Sequence, residues 1–372
     1  MPGRTSAIGR AAFRLTAVLL ALAGLSGCAS LTDGPLYYWQ TARGHLDVMW
    51  RARPLAQVLA DPATDPGLRA RLERAREIRA FASRELALPD NGSYTTYSAL
   101  GRPFVLWNVF ATPELSLTLH RWCFPVAGCV AYRGYYDRQE AERYAQRLRA
   151  QGLEVHVGGV PAYSTLGWFD DPLLSTFMHY PEADLARLVF HELAHQLLYL
   201  PGDTPFNESF ATAVEEAGVE RWLAARADPA LERSHRLQTE RRRAFVALLR
   251  RHKDSLERLY AQPVPDADKR VGKAAVFEAL RADYQGLKAG WGGFAGFDRF
   301  FEPGLTNAQL AAVGAYNDLL PGFRALLARE GGDLPRFYGA VRELAALPRA
   351  ERLERLRAAP GAGLPARAGA GS

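Results

Sequence analysis

The sequence predicts an α+β fold: a small strand-rich part followed by a mainly helical part. Two observations carry that reading. Between residues 94 and 136 Thr, Tyr, Val, Phe and Trp dominate, and Gly101-Arg102-Pro103 and Thr112-Pro113 interrupt the run, which is strand chemistry. After Pro181 apolar residues recur at helical spacing almost to the end of the chain. Strands first and helices after argue for α+β rather than a repeating βαβ order. The 372 residues, 48% apolar and 23% charged, suffice for a large core and exclude wholesale disorder.

Each element follows in chain order. Residues 1–14 carry positive charge only, at Arg4, Arg10 and Arg14, and Leu15 to Leu25 is apolar. Those 11 residues are too few for a bilayer span, which needs about 20, and have the flanks of a secretory signal. Leu25-Ser26-Gly27-Cys28 resembles a bacterial lipobox, in which the Cys thiol is lipidated and cleavage leaves Cys28 at the N-terminus. Ala29-Ser30 follows with no Asp, which implies lipid anchoring at the outer membrane, facing the periplasm. Residues 35–88 read as helical: Tyr38, Leu46, Met49 and Trp50 share a face, and a second amphipathic segment follows the DPATDPG break. Cys123 and Cys129, in WCFPVAGC, read as a disulfide-closed loop in an oxidising compartment rather than a metal pair. Asp137 can cap a helix to about Gln151 with Gly152 as its stop, and LEVHVGG is a short strand. Residues 159–180 read as strand and loop, and Tyr163 to Phe169 as an edge to which a peptide backbone could pair. Asp170 and Asp171 beyond it read first as turn residues and second as anchors for a substrate amine. Six helices are expected at 182–200, 206–225, 229–260, 266–288, 306–330 and 333–356. The expected organisation is a signal over 1–27, one domain over 28–357 and a disordered tail over 358–372. The domain divides into a helical hairpin plus strand-rich part over 28–180 and a helical part over 181–357.

The charge balance excludes one class of partner. Of 46 basic residues only four are Lys, and the longest basic run is Arg241-Arg242-Arg243 with no aromatic residues interleaved, so nucleic-acid binding has no support. Without residues 1–27 the chain holds 43 basic and 40 acidic residues, a net charge of +3. That excess is too small to imply a partner.

The chemistry concentrates in the block around residues 190–218. In His191-Glu192-Leu193-Ala194-His195 the two imidazoles, four residues apart, share a helix face and can share one Zn²⁺. Glu192 beside them can take a proton from water at the metal. With 8 His and 22 Glu in the chain, shuffling produces this pattern about 0.01 times. A catalytic zinc usually has three protein ligands. Asp203, Glu208, Glu215 and Glu216 are the candidates for the third. Pro205 and Asn207 can start a second helix with Glu208 in its first turn, where it would meet His191 and His195. Glu215, two turns further along the same face, is the candidate to accept a hydrogen bond from a ligand histidine, with Glu216 its competitor. His45, His120, His156, His179, His235 and His252 read as structural or exposed.

HELAH followed by NESFA resembles the gluzincin metallopeptidases, whose aminopeptidases take their glutamate ligand from a near-identical N-E-x-F-A segment. Here 12 residues separate His195 from Glu208, a shortened loop. The mature chain as a whole resembles a bacterial family of zinc aminopeptidase lipoproteins. The segments that carry this are WCFPVAGCVAYRGYY, STLGWFDDPLLSTF, the 190–216 block and AYNDLLPGF. The resemblance implies a gluzincin-like fold and a zinc-dependent peptidase, an aminopeptidase acting on peptide substrates. His191, His195 and Glu208 are then the ligands and Glu192 the base. The G-x-M-E-N string with which gluzincin aminopeptidases bind a free amine does not occur. Peptide hydrolysis also needs an oxyanion donor. Tyr316, in the family-like Ala315-Tyr316-Asn317-Asp318, is the first candidate, with Tyr260 and Tyr284 as alternatives. Two other functions remain open: a zinc hydrolase of another envelope amide, and a non-catalytic envelope binding protein on a peptidase fold. The sequence does not fix an oligomeric state.

Overall fold

Aspartates, often followed by prolines, set where several helices begin. The structure, a computed structural model, describes residues 34–124, 128–302, 304–314 and 319–358. The chain divides into two units, residues 1–46 and 47–372. Cys28, Tyr316 and the tail from residue 359 lie outside the described residues.

Of the first unit only residues 34–46 are described, and they belong to the helix α1 (Gly34–Trp50). Of the face read from the sequence, Tyr38, Leu46 and Trp50 are exposed and Met49 is half-buried; Val48, outside that face, is buried.

The second unit opens with β1 (Ala52–Pro54), α2 (Leu55–Ala60) and α3 (Pro66–Leu86). The Asp65 side chain accepts from the Leu68 N–H at 2.8 Å, and Pro66 supplies the preset first turn of α3. The strand β1, inside a stretch expected to be helical, pairs antiparallel with β2 (Thr96–Ser98), which runs parallel to β8 (Leu173–Leu174). In a second sheet β3 (Leu106–Pro113) lies between β6 (Arg133–Tyr135) and β7 (Leu153–Val160), antiparallel to both. The hairpin β4 (Trp122–Phe124) and β5 (Gly128–Val130) pairs Cys123 with Cys129, and the two form the expected disulfide. Helix α4 (Arg138–Ala150) is capped by Asp137 and stops before Gly152, whose φ of +81° is left-handed. The strand expected from Tyr163 to Phe169 is absent. Leu166 and Gly167 have positive φ, and the Asp171 carboxylate accepts from the Thr165 N–H at 2.9 Å, which ties the segment into a turn. Asp171 is buried in this role, so the turn reading holds over the exposed edge.

The helical part follows as α5 (Glu182–Leu197), α6 (Thr204–Arg226), α7 (Pro229–Tyr260), α8 (Asp266–Gly290), α9 (Asn307–Gly314), α10 (Leu320–Arg329), α11 (Leu334–Ala346) and α12 (Arg349–Arg357). The expected helix 333–356 is divided at Pro348, which has no N–H to continue it. The class is therefore α+β, mostly helical with small sheets.

The main core joins α3, α5, α6, α10 and α11 around Phe190, Phe206, Phe210, Phe323 and Phe337, all fully buried. Rings meet edge-on, with Phe206 and Phe323 centroids 5.0 Å apart and Phe81 and Trp222 5.2 Å apart. At Gly218 a Cβ would come within 2.7 Å of Phe190 and 2.8 Å of Leu86. Only glycine lets α6 approach α3 and α5 this closely. This packing fixes the two helices that carry the motif.

Candidate metal centre

Helices α5 and α6 are joined by the short segment 198–203. His191 meets Glu215 and His195 meets Glu208, so the helices run antiparallel and their facing sides form the site. The His191 and His195 Nε2 atoms are 3.2 Å apart. Glu208 brings Oε2 to 3.3 Å from His191 Nε2 and Oε1 to 3.8 Å from His195 Nε2. One donor atom from each residue lies within 4.8 Å of the others. Two donors each about 2.1 Å from a tetrahedral ion stand about 3.4 Å apart. Two imidazole nitrogens and a carboxylate at these separations therefore fit a divalent ion, and the triad can hold a metal.

The remaining candidates have other employment. Glu215 is buried, and its Oε2 accepts from His191 Nδ1 at 2.8 Å, while Arg187 approaches its Oε1 at 3.5 Å. That bond leaves His191 Nε2 turned toward Glu208. Glu216 is bound by the Arg324 guanidinium at 2.7 and 2.5 Å, away from the triad. The buried Asp203 accepts from Arg352 at 2.7 Å. Among the described residues no other histidine joins a metal-capable group. His252 bonds Asp283 at 2.9 Å, and His120 stands edge-on to Trp122. Tyr260 bonds Asn307 and Tyr284 bonds Asp298, which commits both alternative donors to packing around α7 and α8.

The electrostatics follow from burial and mutual contact. Burial pushes Glu192 up to about 7, partly offset by His191 and reinforced by Glu208, Asp171 and Glu215. His195 is lowered by burial to about 4, so it is neutral and free to donate a lone pair. Burial opposes a charge on His191, but the Glu208 and Glu215 carboxylates outweigh it and hold its pKa well above the usual value. Burial also raises Glu208 and Glu215, yet their basic partners keep both below the usual carboxylate range.

Three neighbours had no clear sequence signal. The loop 89–94 is pinned by Arg79, which donates to the Ser93, Pro89 and Asn91 carbonyls at 2.8, 2.9 and 2.9 Å. From that loop Asn91 and Ser93 hold Gln196 at the end of α5. Tyr94 follows in left-handed backbone, φ +65°, with its hydroxyl buried and unpartnered among the described residues. Burial and then Glu192 raise its pKa. The Tyr199 ring is 6.4 Å from His195, and burial followed by the Glu208 charge raises its pKa. Tyr199 lies four residues after His195, the one spacing that could have flagged it. A cavity of about 490 Å³ lined by Trp107, Arg149, His156 and Thr306 among others includes none of the triad.

Compared with known proteins, the chain matches the family described as "Putative aminopeptidase" over residues 36–356. No curated protein and no solved structure matches it.

Proposed function

The chain belongs to the family described as "Putative aminopeptidase", and from that premise we propose that it is a zinc-dependent peptidase of gluzincin type, an aminopeptidase. The observation that carries the reading is the convergence of His191, His195 and Glu208 donors within 4.8 Å, with the half-buried Glu192 beside His191 in the same helix. In this reading His191, His195 and Glu208 hold zinc, which supplies Lewis-acid polarisation and lowers the pKa of water. Glu192 takes the proton from the attacking water and returns it to the leaving amine. Glu215 accepts from His191 Nδ1 and so fixes the tautomer that turns Nε2 inward. Tyr316 is the donor to the oxyanion, on the strength of its family-like segment. The chain is anchored by lipid at Cys28 and works at the outer membrane, facing the periplasm.

The test is a zinc-loaded chain from Ala29, incubated with a peptide library with and without a chelator, the cut sites being read by mass. Loss of single N-terminal residues, abolished by the chelator, is the expected result. Internal cuts would refute the aminopeptidase assignment, and intact peptides would refute the peptidase.

A further inference from the structure

We propose that the exposed face of α1 lies on a phospholipid bilayer surface. Leu36 is 74% exposed, Trp39 68% and Leu46 64%, and Tyr38, on the flank of that stripe, is 49% exposed. Leu36, Trp39, Arg43 and Leu46 follow one another at spacings of three, four and three residues, which makes one stripe along the helix. Arg43 is the one charge in that stripe, and Ala42 beside it is exposed too. Side chains of this size turned to water are the mark of an interaction surface. Their chemistry selects the partner. Trp and Tyr carry an apolar body and a polar tip and concentrate at lipid–water boundaries, where an in-plane helix buries a Trp- and Leu-rich face. An Arg in such a face buries its stem and keeps its guanidinium at the headgroups.

The sequence before the helix brings the same surface near. Cys28 lies six residues before Gly34, and six extended residues reach at most about 20 Å. A lipid on Cys28 would thus hold the start of α1 within about 20 Å of the bilayer. This tether argument rests on the anchor proposed above; the chemistry of the face does not.

The zinc-loaded chain from Ala29, which keeps every described residue and carries no lipid, is mixed with vesicles of phosphatidylethanolamine and phosphatidylglycerol and sedimented. It is expected to pellet with them. The triple variant Leu36→Ser, Trp39→Ser, Leu46→Ser is expected to bind at least about tenfold more weakly, with bound zinc and melting temperature unchanged. In a second measurement, brominated acyl chains are expected to quench part of the tryptophan fluorescence, and that part is expected to shrink in Trp39→Phe and to vanish when Trp50→Phe is added, since Trp50 continues the stripe at 92% exposure. A chain that stays in the supernatant overturns the proposal, as does a triple variant that binds equally well. A stable dimer in ultracentrifugation that the triple variant abolishes would also overturn it by assigning the face to a second copy. Because the chain carries no lipid, the anchor is read separately, from the membrane fractionation of Cys28→Ser.

Discussion

Removing the Glu215 carboxylate isolates the contribution of a residue that would touch neither metal nor substrate. Its Oε2 accepts from His191 Nδ1 at 2.8 Å, and it is buried where water cannot replace the bond. Glu215→Gln keeps the volume and an acceptor but loses the charge; Glu215→Ala loses both. Groups in this position are worth about 10- to 100-fold in metal affinity. Glu215→Gln should therefore bind zinc about tenfold more weakly, roughly 1.4 kcal/mol, and Glu215→Ala about 100-fold more weakly, roughly 2.7 kcal/mol. The fold should tolerate both, because Arg187 keeps Asp184 at 3.4 Å when its 3.5 Å contact to Glu215 is lost. The expected fold cost is about 1–2 kcal/mol. Competition with a fluorescent zinc chelator measures the affinity, and metal-free thermal melting measures the fold. Affinity within twofold of wild type in both variants, with the fold intact, would refute the reasoning.

Three further outcomes concern the scaffold. His156 stacks on Phe110 between β3 and β7, with ring centroids 6.3 Å apart, and burial lowers its pKa to about 4. Its folded pKa is below the unfolded value, so its contribution is full above pH 6.5 and is lost as pH falls toward 4. Urea midpoints should register up to about 3 kcal/mol over that window, and His156→Phe should flatten it. Arg352→Leu leaves the buried Asp203 carboxylate without its 2.7 Å partner and should cost about 3 kcal/mol in denaturant unfolding. The double variant with Asp203→Ala should recover part of that loss. Phe210→Ala empties a fully buried site against Phe323, Phe337 and Tyr338 and should cost about 3–5 kcal/mol by the same assay.

What could be read without coordinates depended on whether a feature is local. Helix α7 runs from Pro229 to Tyr260, as expected, because Asp228 accepts from the Ala230 and Leu231 N–H groups and Pro229 presets the first turn. His191, Glu192 and His195 were visible because one helical turn sets their spacing. Glu208 and Glu215 were visible because two turns of a second helix, after a short loop, keep them on one face. The three-residue β1 was not, since so short a strand has no period and its pairing with β2 spans about forty residues. Tyr163 to Phe169 has strand composition, yet Gly167 and the Asp171 carboxylate turn it. Tyr94 reaches the neighbourhood of Glu192 only because Arg79 pins the loop before it, which no spacing in the chain records. Of the exposed stripe of α1 only Leu46 and Trp50 belonged to the face read from the sequence; Leu36 and Trp39 were not singled out.

The most direct test of the central claim compares peptide turnover by zinc-loaded wild type and Glu192→Gln, with bound zinc measured in the same samples. Glu192 is the one member of HELAH assigned to proton transfer rather than to the metal. The account predicts one zinc per chain in both proteins and a turnover about 10²- to 10⁴-fold lower in Glu192→Gln. Equal turnover at equal zinc would contradict it.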